Sequence, residues 1–227
     1  MLTFSTLDII ALAFFAGAWA AYAIVVEWTA HGRGGLNARM DLYRELWIRR
    51  MLERDMRMVD AQIMASLQNG TAFFASTSLI AIGGALTLLR STDDILSVVA
   101  TLPLGIQATR AQWEIKVIGL AVILVYAFFK FAWSYRLFNY VAILIGAMPQ
   151  AAQKDTPEAE AYVMRTARLF ASAGRHFNRG QRAFFLALGY LGWFVGPWVL
   201  IASTAAIATV MWYRQFASDS RDAIVNG

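Results

Sequence analysis

The chain has 227 residues, 59% of them apolar, and a mean hydropathy of +0.50; soluble domains carry about 45–50% apolar residues, and the excess here falls in four long blocks, as membrane spans do. The net charge of +5 is no nucleic-acid signal, because the arginines cluster beside the apolar blocks, where the positive-inside rule puts them. The absence of cysteine excludes disulfides, thiolate metal sites, Cys-linked haem and Cys nucleophiles, and the length leaves no room for a separate soluble enzyme domain.

The first segment, MLTFSTLDII, has no Lys or Arg. A cleaved signal peptide needs a basic region before its apolar core, so residues 7–26 read as a retained first span. Asp8 and Glu27 bracket it, and both read as water-exposed ends because intramembrane charges are costly. His31, Gly32, Arg33, Gly34 and Gly35 then read as a flexible linker. A long amphipathic helix over residues 38–68 follows, with Asn37 as its cap. Its apolar face is Ile48, Leu52, Met56, Val59 and Ile63, and alternating charges such as Asp41, Arg44, Glu45 and Arg49 mark a solvated face.

The second span, residues 71–89, is dense in small residues, and Gly70 is a possible joint with the preceding helix. Ser76, Thr77 and Ser78 could pack helices tightly or line a polar path. In the connector, Thr92 with Asp93 and Asp94 reads as a helix cap and first turn. Residues 95–102 then form an interfacial segment ended by Pro103. The third span, 115–147, lies in an apolar run from Trp113 to Pro149 that would make a helix roughly 50 Å long. That exceeds the ~30 Å hydrocarbon core, so polar groups in its second half should reach the inner boundary. Thr156, Pro157, Glu158 and Glu160 start a second amphipathic helix, 157–174. The fourth span, 183–212, should kink at Pro197, and the tail 214–227 is polar.

The arginine-rich loops therefore fall on the cytoplasmic side and both termini outside it. The expected architecture is an all-α membrane protein: one domain, four transmembrane helices, and two long amphipathic cytosolic extensions. It is expected in the cell (inner) membrane as a multi-pass protein. Three blocks, FFASTSLIAIGGALTLL (73–89), KFAWSYRLFNYVAILIGAMP (130–149) and FNRGQRAFFLALGYLGWFVGPW (177–198), resemble those of a membrane family known as domain of unknown function 599. The resemblance implies a four-span membrane protein and carries no activity or site residues.

Several polar residues stand out as candidates. Lys130 could sit with Ser134 on one face toward a polar cavity, paired with Glu27 or Asp60, or snorkel to the headgroups. Arg136 and Asn139 read as boundary or helix-to-helix contacts. Arg175, Arg179 and Arg182 precede the fourth span and suit an anion or anionic headgroups. The two histidines, His31 and His176, are too few for a His-based metal site. No catalytic constellation emerges, so no enzyme activity, metal or cofactor is expected. Two functions stay open: an oligomeric channel- or transporter-like protein with a cationic inner vestibule, or a non-transporting scaffold or accessory subunit that docks partners or lipids. The expected partners are membrane lipids, a second copy or a larger membrane complex, and no nucleic acid.

Overall fold

The computed structural model describes residues 4–101 and 109–225, and within them the chain is all-helical. Ten α-helices follow in order: α1 (Thr6–Trp28), α2 (Ala30–Arg33), α3 (Leu36–Leu52), α4 (Met58–Arg90), α5 (Thr92–Thr101), α6 (Arg110–Gly146), α7 (Pro157–Tyr190), α8 (Gly192–Val195), α9 (Pro197–Phe216) and α10 (Asp219–Val225). Three of them, α1, α4 and α6, are long and apolar enough to cross a membrane. The expected end of the interfacial segment at Leu102 and Pro103 lies outside the described residues.

The long helix α6 is the axis. It runs antiparallel to α4 on one side, with Gln68 Nε2 donating to Asn139 Oδ1 at 2.5 Å, Phe74 stacked on Phe131, and Ala85 against Trp113 and Val117. On the other side it runs antiparallel to α7, from Tyr162–Leu144 through Ser134–Ala173, and meets α8 at Lys116–Trp193. Gly180 lets α7 approach closely, for a Cβ there would lie 2.7 Å from the buried Phe131 ring.

The expected amphipathic extensions take a different form. Residues 38–68 are not one helix: α3 stops at Leu52, the chain turns, and Met58 starts α4, which runs through Gly70 unbroken to Arg90. The turn is locked by Asp60, which accepts from Trp47 Nε1 at 2.6 Å and Arg54 at 3.2 Å, and by Arg57, which donates to the Met148 and Pro149 carbonyls beyond α6. The second extension does not stop at Gly174; Thr156 caps α7 and the helix continues to Tyr190. Here α3 lies antiparallel to the first half of α7, and Arg49 forks onto Glu160. A core of Ile48, Met51, Met64, Leu137, Val141, Val163 and Phe170 fills this end of the bundle.

Residues 183–212 are not one continuous helix. Tyr190 ends α7, and Gly196 precedes Pro197, the first residue of α9. Proline has no N–H to continue a helix and pushes the residue before it out of the α region. The result is a reversal rather than a kink. Ser203 Oγ donates to Gly189 O at 2.6 Å, and the Arg214 guanidinium covers the Phe185 ring, so α9 returns antiparallel to α7. Gly192 permits the turn, since its Cβ would meet Val199 O at 2.8 Å. α1 then lies along α9, with Tyr22 Oη donating to Met211 O, and leans over α6 and α7 through Trp19–Tyr126 and Phe15–Tyr190.

With this reversal the two described ends of the chain lie at opposite poles of the helical bundle. Ser5 caps α1 at the end where Asp8 accepts from Trp193 Nε1 at 2.7 Å. The C-terminal segment ends at the opposite pole, where Gln215 packs on Gly35 and Arg221 donates to Gly34 O. Two smaller expectations also change. Gly35, not Asn37, precedes α3 as its cap. Thr92 donates to the carbonyls of Leu88 and Leu89, closing α4 rather than capping α5.

Candidate functional site

Where α1 ends, its chain turns through a packed corner rather than a loose linker. Thr29 takes an extended conformation, donates to Val25 O at 2.7 Å and accepts from Gly32 N at 3.2 Å. Gly32 is buried against the Val25 and Val26 carbonyls, where any side chain would collide with backbone. His31 stacks on Trp212 and meets Phe216, which ties the corner to the end of α9. The start of α3, the middle of α7 and the last turn of α9 close around it.

Together these elements enclose a cleft of about 460 Å³ whose lining includes Arg33, Arg175, Arg179, Arg182, Arg214, Glu27 and Asp41. Five guanidinium groups thus face two carboxylates. Glu27 is the hub: Arg179 donates to both its oxygens, at 2.5 Å for the shortest bond, and Arg182 donates to Oε1. Arg182 is only 8% exposed at its side chain, and a buried guanidinium needs an anion beside it. Asp41 is shared between Arg44 at 2.5 Å and Arg175 at 3.7 Å. Burial pushes the Asp41 carboxyl above its ordinary range, against the opposing pull of Arg44 and Arg175. Arg33 and Arg214 make no ion pair among the described residues, although Arg214 lies over the Phe185 ring. Gln215 also lines the cleft; it is 5% exposed and its Nε2 has no acceptor. Tyr22, Trp28, Phe185 and Met211 supply an apolar wall.

Of the sequence candidates, Arg175, Arg179 and Arg182 all meet in this cleft. The others do not join it. Lys130 lies over the Tyr126 ring at 5.0 Å. Both acids considered as its partners are engaged elsewhere, Glu27 with the arginines and Asp60 with Trp47 and Arg54. Ser134 is buried and donates to Ala173 O at 2.8 Å, a contact between α6 and α7. Arg136 donates to Tyr140 one turn on along α6, and Asn139 accepts from Gln68 of α4. Thr77 and Ser78 return their hydroxyls to the Phe73 and Phe74 carbonyls of their own helix, and Ser76 is exposed.

Sequence reasoning did not select Tyr22, Arg33, Arg214 or Gln215; the last two reach the cleft because α9 doubles back. Glu27 did carry a signal. An acid in the last turn of a helix opposes the negative end of the macrodipole, so it points to a cation nearby. A second polar cluster sits at the other pole: Lys116, 8% exposed, donates to Trp193 O at 2.7 Å, beside the bond from Trp193 to Asp8. Its groups satisfy one another and pin the α8 turn. Among the described residues no three His, Asp or Glu side chains group as a metal site.

The family described as a protein of unknown function, DUF599, matches residues 10–220. No curated protein and no solved structure matches the chain.

Proposed function

We infer that this chain, which belongs to the DUF599 family, is a non-transporting integral membrane protein that holds anionic lipid at its basic pole. Five helical arms would lie in the bilayer: α1, the later turns of α4, α6, the last turns of α7 with α8, and α9. An odd number of crossings accounts for termini at opposite poles. The exposed apolar side chains Ile9, Ile10, Phe14, Phe73, Ile80, Val122, Phe129, Leu188 and Val199 would face lipid, where an apolar surface carries no cost.

The observation that carries this reading is the segregation of charge. Of the twenty Lys and Arg residues, only Arg90, Arg110 and Lys116 belong to the pole of Asp8 and Trp193; the other seventeen lie at or beyond the level of Glu27. The positive-inside rule would put that pole, with the C-terminus, in the cytoplasm. Anionic lipids there attract basic groups by about 1 kcal/mol each. A pore through a single chain finds little support, because the hydroxyls of Ser78 and Ser134 are satisfied by backbone and α6 is surrounded by Leu, Ile and Phe.

The cysteine-free chain makes the test direct. Asp94→Cys and Asp222→Cys, both exposed and at opposite poles, are labelled in intact cells with an impermeant maleimide. Asp94→Cys should react at once and Asp222→Cys only after permeabilisation; equal labelling would refute the topology. Protein extracted in neutral detergent should retain anionic over zwitterionic phospholipid, and a composition equal to the bulk membrane would refute the lipid reading. Liposomes carrying the protein should show no ion flux above protein-free controls.

A further inference from the structure

We propose that the arginine-lined cleft is a binding site for a phosphate monoester, with Glu27 as the built-in anion that such a ligand displaces. The proposal rests on the lipid-holding reading above and narrows it from a charged surface to one site and one ligand chemistry.

The cleft carries three more cationic than anionic side chains: Arg33, Arg175, Arg179, Arg182 and Arg214 against Glu27 and Asp41. A surplus of that size in a partly enclosed space is matched better by a dianion than by a monoanion. The donors are of the right kind. Arginine presents a planar fork that takes two oxygens of one anionic group, and Glu27 already shows such an anion held between Arg179 and Arg182. Two further guanidinium groups, Arg33 and Arg214, have no anion among the described residues.

An independent observation points the same way. Gln215 is more than nine-tenths buried, lines the cleft, and leaves its Nε2 without an acceptor. A buried donor left unpaired is unfavourable by roughly 1–3 kcal/mol, so a native structure keeps one where something else completes it. A phosphate oxygen would do so. The apolar wall of Tyr22, Trp28, Phe185 and Met211 stands beside the cationic floor, so the ester substituent would lie against it. The same chemistry would arrive either on a lipid, as phosphatidic acid presents it, or on a soluble molecule such as glycerol 3-phosphate.

Binding is measured on the full chain in neutral-lipid nanodiscs. The probes are dioleoyl phosphatidic acid, dioleoyl phosphatidylglycerol as the diester control, and glycerol 3-phosphate. Phosphatidic acid should bind at least about tenfold more tightly than phosphatidylglycerol. Arg33→Gln and Arg214→Gln should each weaken it about tenfold, as loss of one charge-assisted contact does. Lys154→Gln, exposed and outside the cleft, should leave it unchanged. Glu27→Gln should tighten binding, because the competing carboxylate is gone. Glycerol 3-phosphate displacing the lipid would support the proposal with a soluble source; failure to displace it, with the lipid still bound, would support it with the lipid as the source. Equal affinity for both lipids would overturn the monoester assignment and leave the lipid-holding reading standing. Binding indifferent to Arg33→Gln and Arg214→Gln would overturn the site. No binding of any anionic lipid would overturn both.

Discussion

Gly180 is where the packing of α7 on α6 is most demanding, and it yields a prediction whose sign depends on one neighbour. Alanine in a helix interior is favoured over glycine by about 1 kcal/mol, so on propensity alone Gly180→Ala should stabilise. The added methyl would lie 2.7 Å from Phe131, a ring with no exposed surface that is held between Phe74 at 5.3 Å and Phe177 at 5.6 Å. The ring has nowhere to retreat, and overpacking of this kind costs about 1–3 kcal/mol. The net effect should be a loss of up to about 2 kcal/mol, or up to about 4–8 °C in the melting temperature of a chain this size. In a Phe131→Leu background the clash disappears and the propensity gain remains, so the same substitution should become stabilising by up to about 1 kcal/mol. Thermal unfolding of the four proteins in one detergent gives the cycle. Stabilisation by Gly180→Ala in the wild-type background, or equal effects in both backgrounds, would refute the packing argument.

Three further outcomes follow from other contacts. Asp60→Ala should destabilise by about 2–3 kcal/mol in thermal denaturation, since it strands the Trp47 N–H and one partner of Arg54; Asp60→Asn, which keeps an acceptor for Trp47, should lose about half of that. Gly32→Ala should cost more than about 2 kcal/mol because its Cβ meets backbone, whereas Gly34→Ala, with its nearest neighbour 3.5 Å away, should stay within about 0.5 kcal/mol. His176 is held below its ordinary pKa by burial first and then by Lys130, Arg179 and Arg175, with Glu27 opposing. A base depressed on folding leaves the unfolded chain binding more protons. Stability should therefore fall as pH drops through the ordinary histidine range near 6.5, and His176→Gln should flatten that slope between pH 7 and 5.

The elements legible in the sequence are those governed by neighbours along the chain. Apolar blocks long enough to span and the Thr156–Pro157 start of α7 follow from local propensity and capping, whereas the sequence leaves the passage of α4 through Gly70 open between a joint and a continuous helix. The triplet Arg175, Arg179 and Arg182 was legible too, because residues three and four apart share a helix face. The return of α9 was not. A Gly–Pro step says that a helix is interrupted, but a kink and a reversal have the same local chemistry. The choice between them rests on contacts made far along the chain, Ser203 with Gly189, Arg214 with Phe185, and Tyr22 with Met211. That single choice moved the C-terminus to the basic pole and brought Arg214 and Gln215 into the cleft beside Glu27. Sequence thus determined which stretches are helical and which are oil-soluble, because those properties are set residue by residue. Tertiary structure decided how many times the chain turns back and which charges meet, because side chains distant in sequence become neighbours only when helices pack.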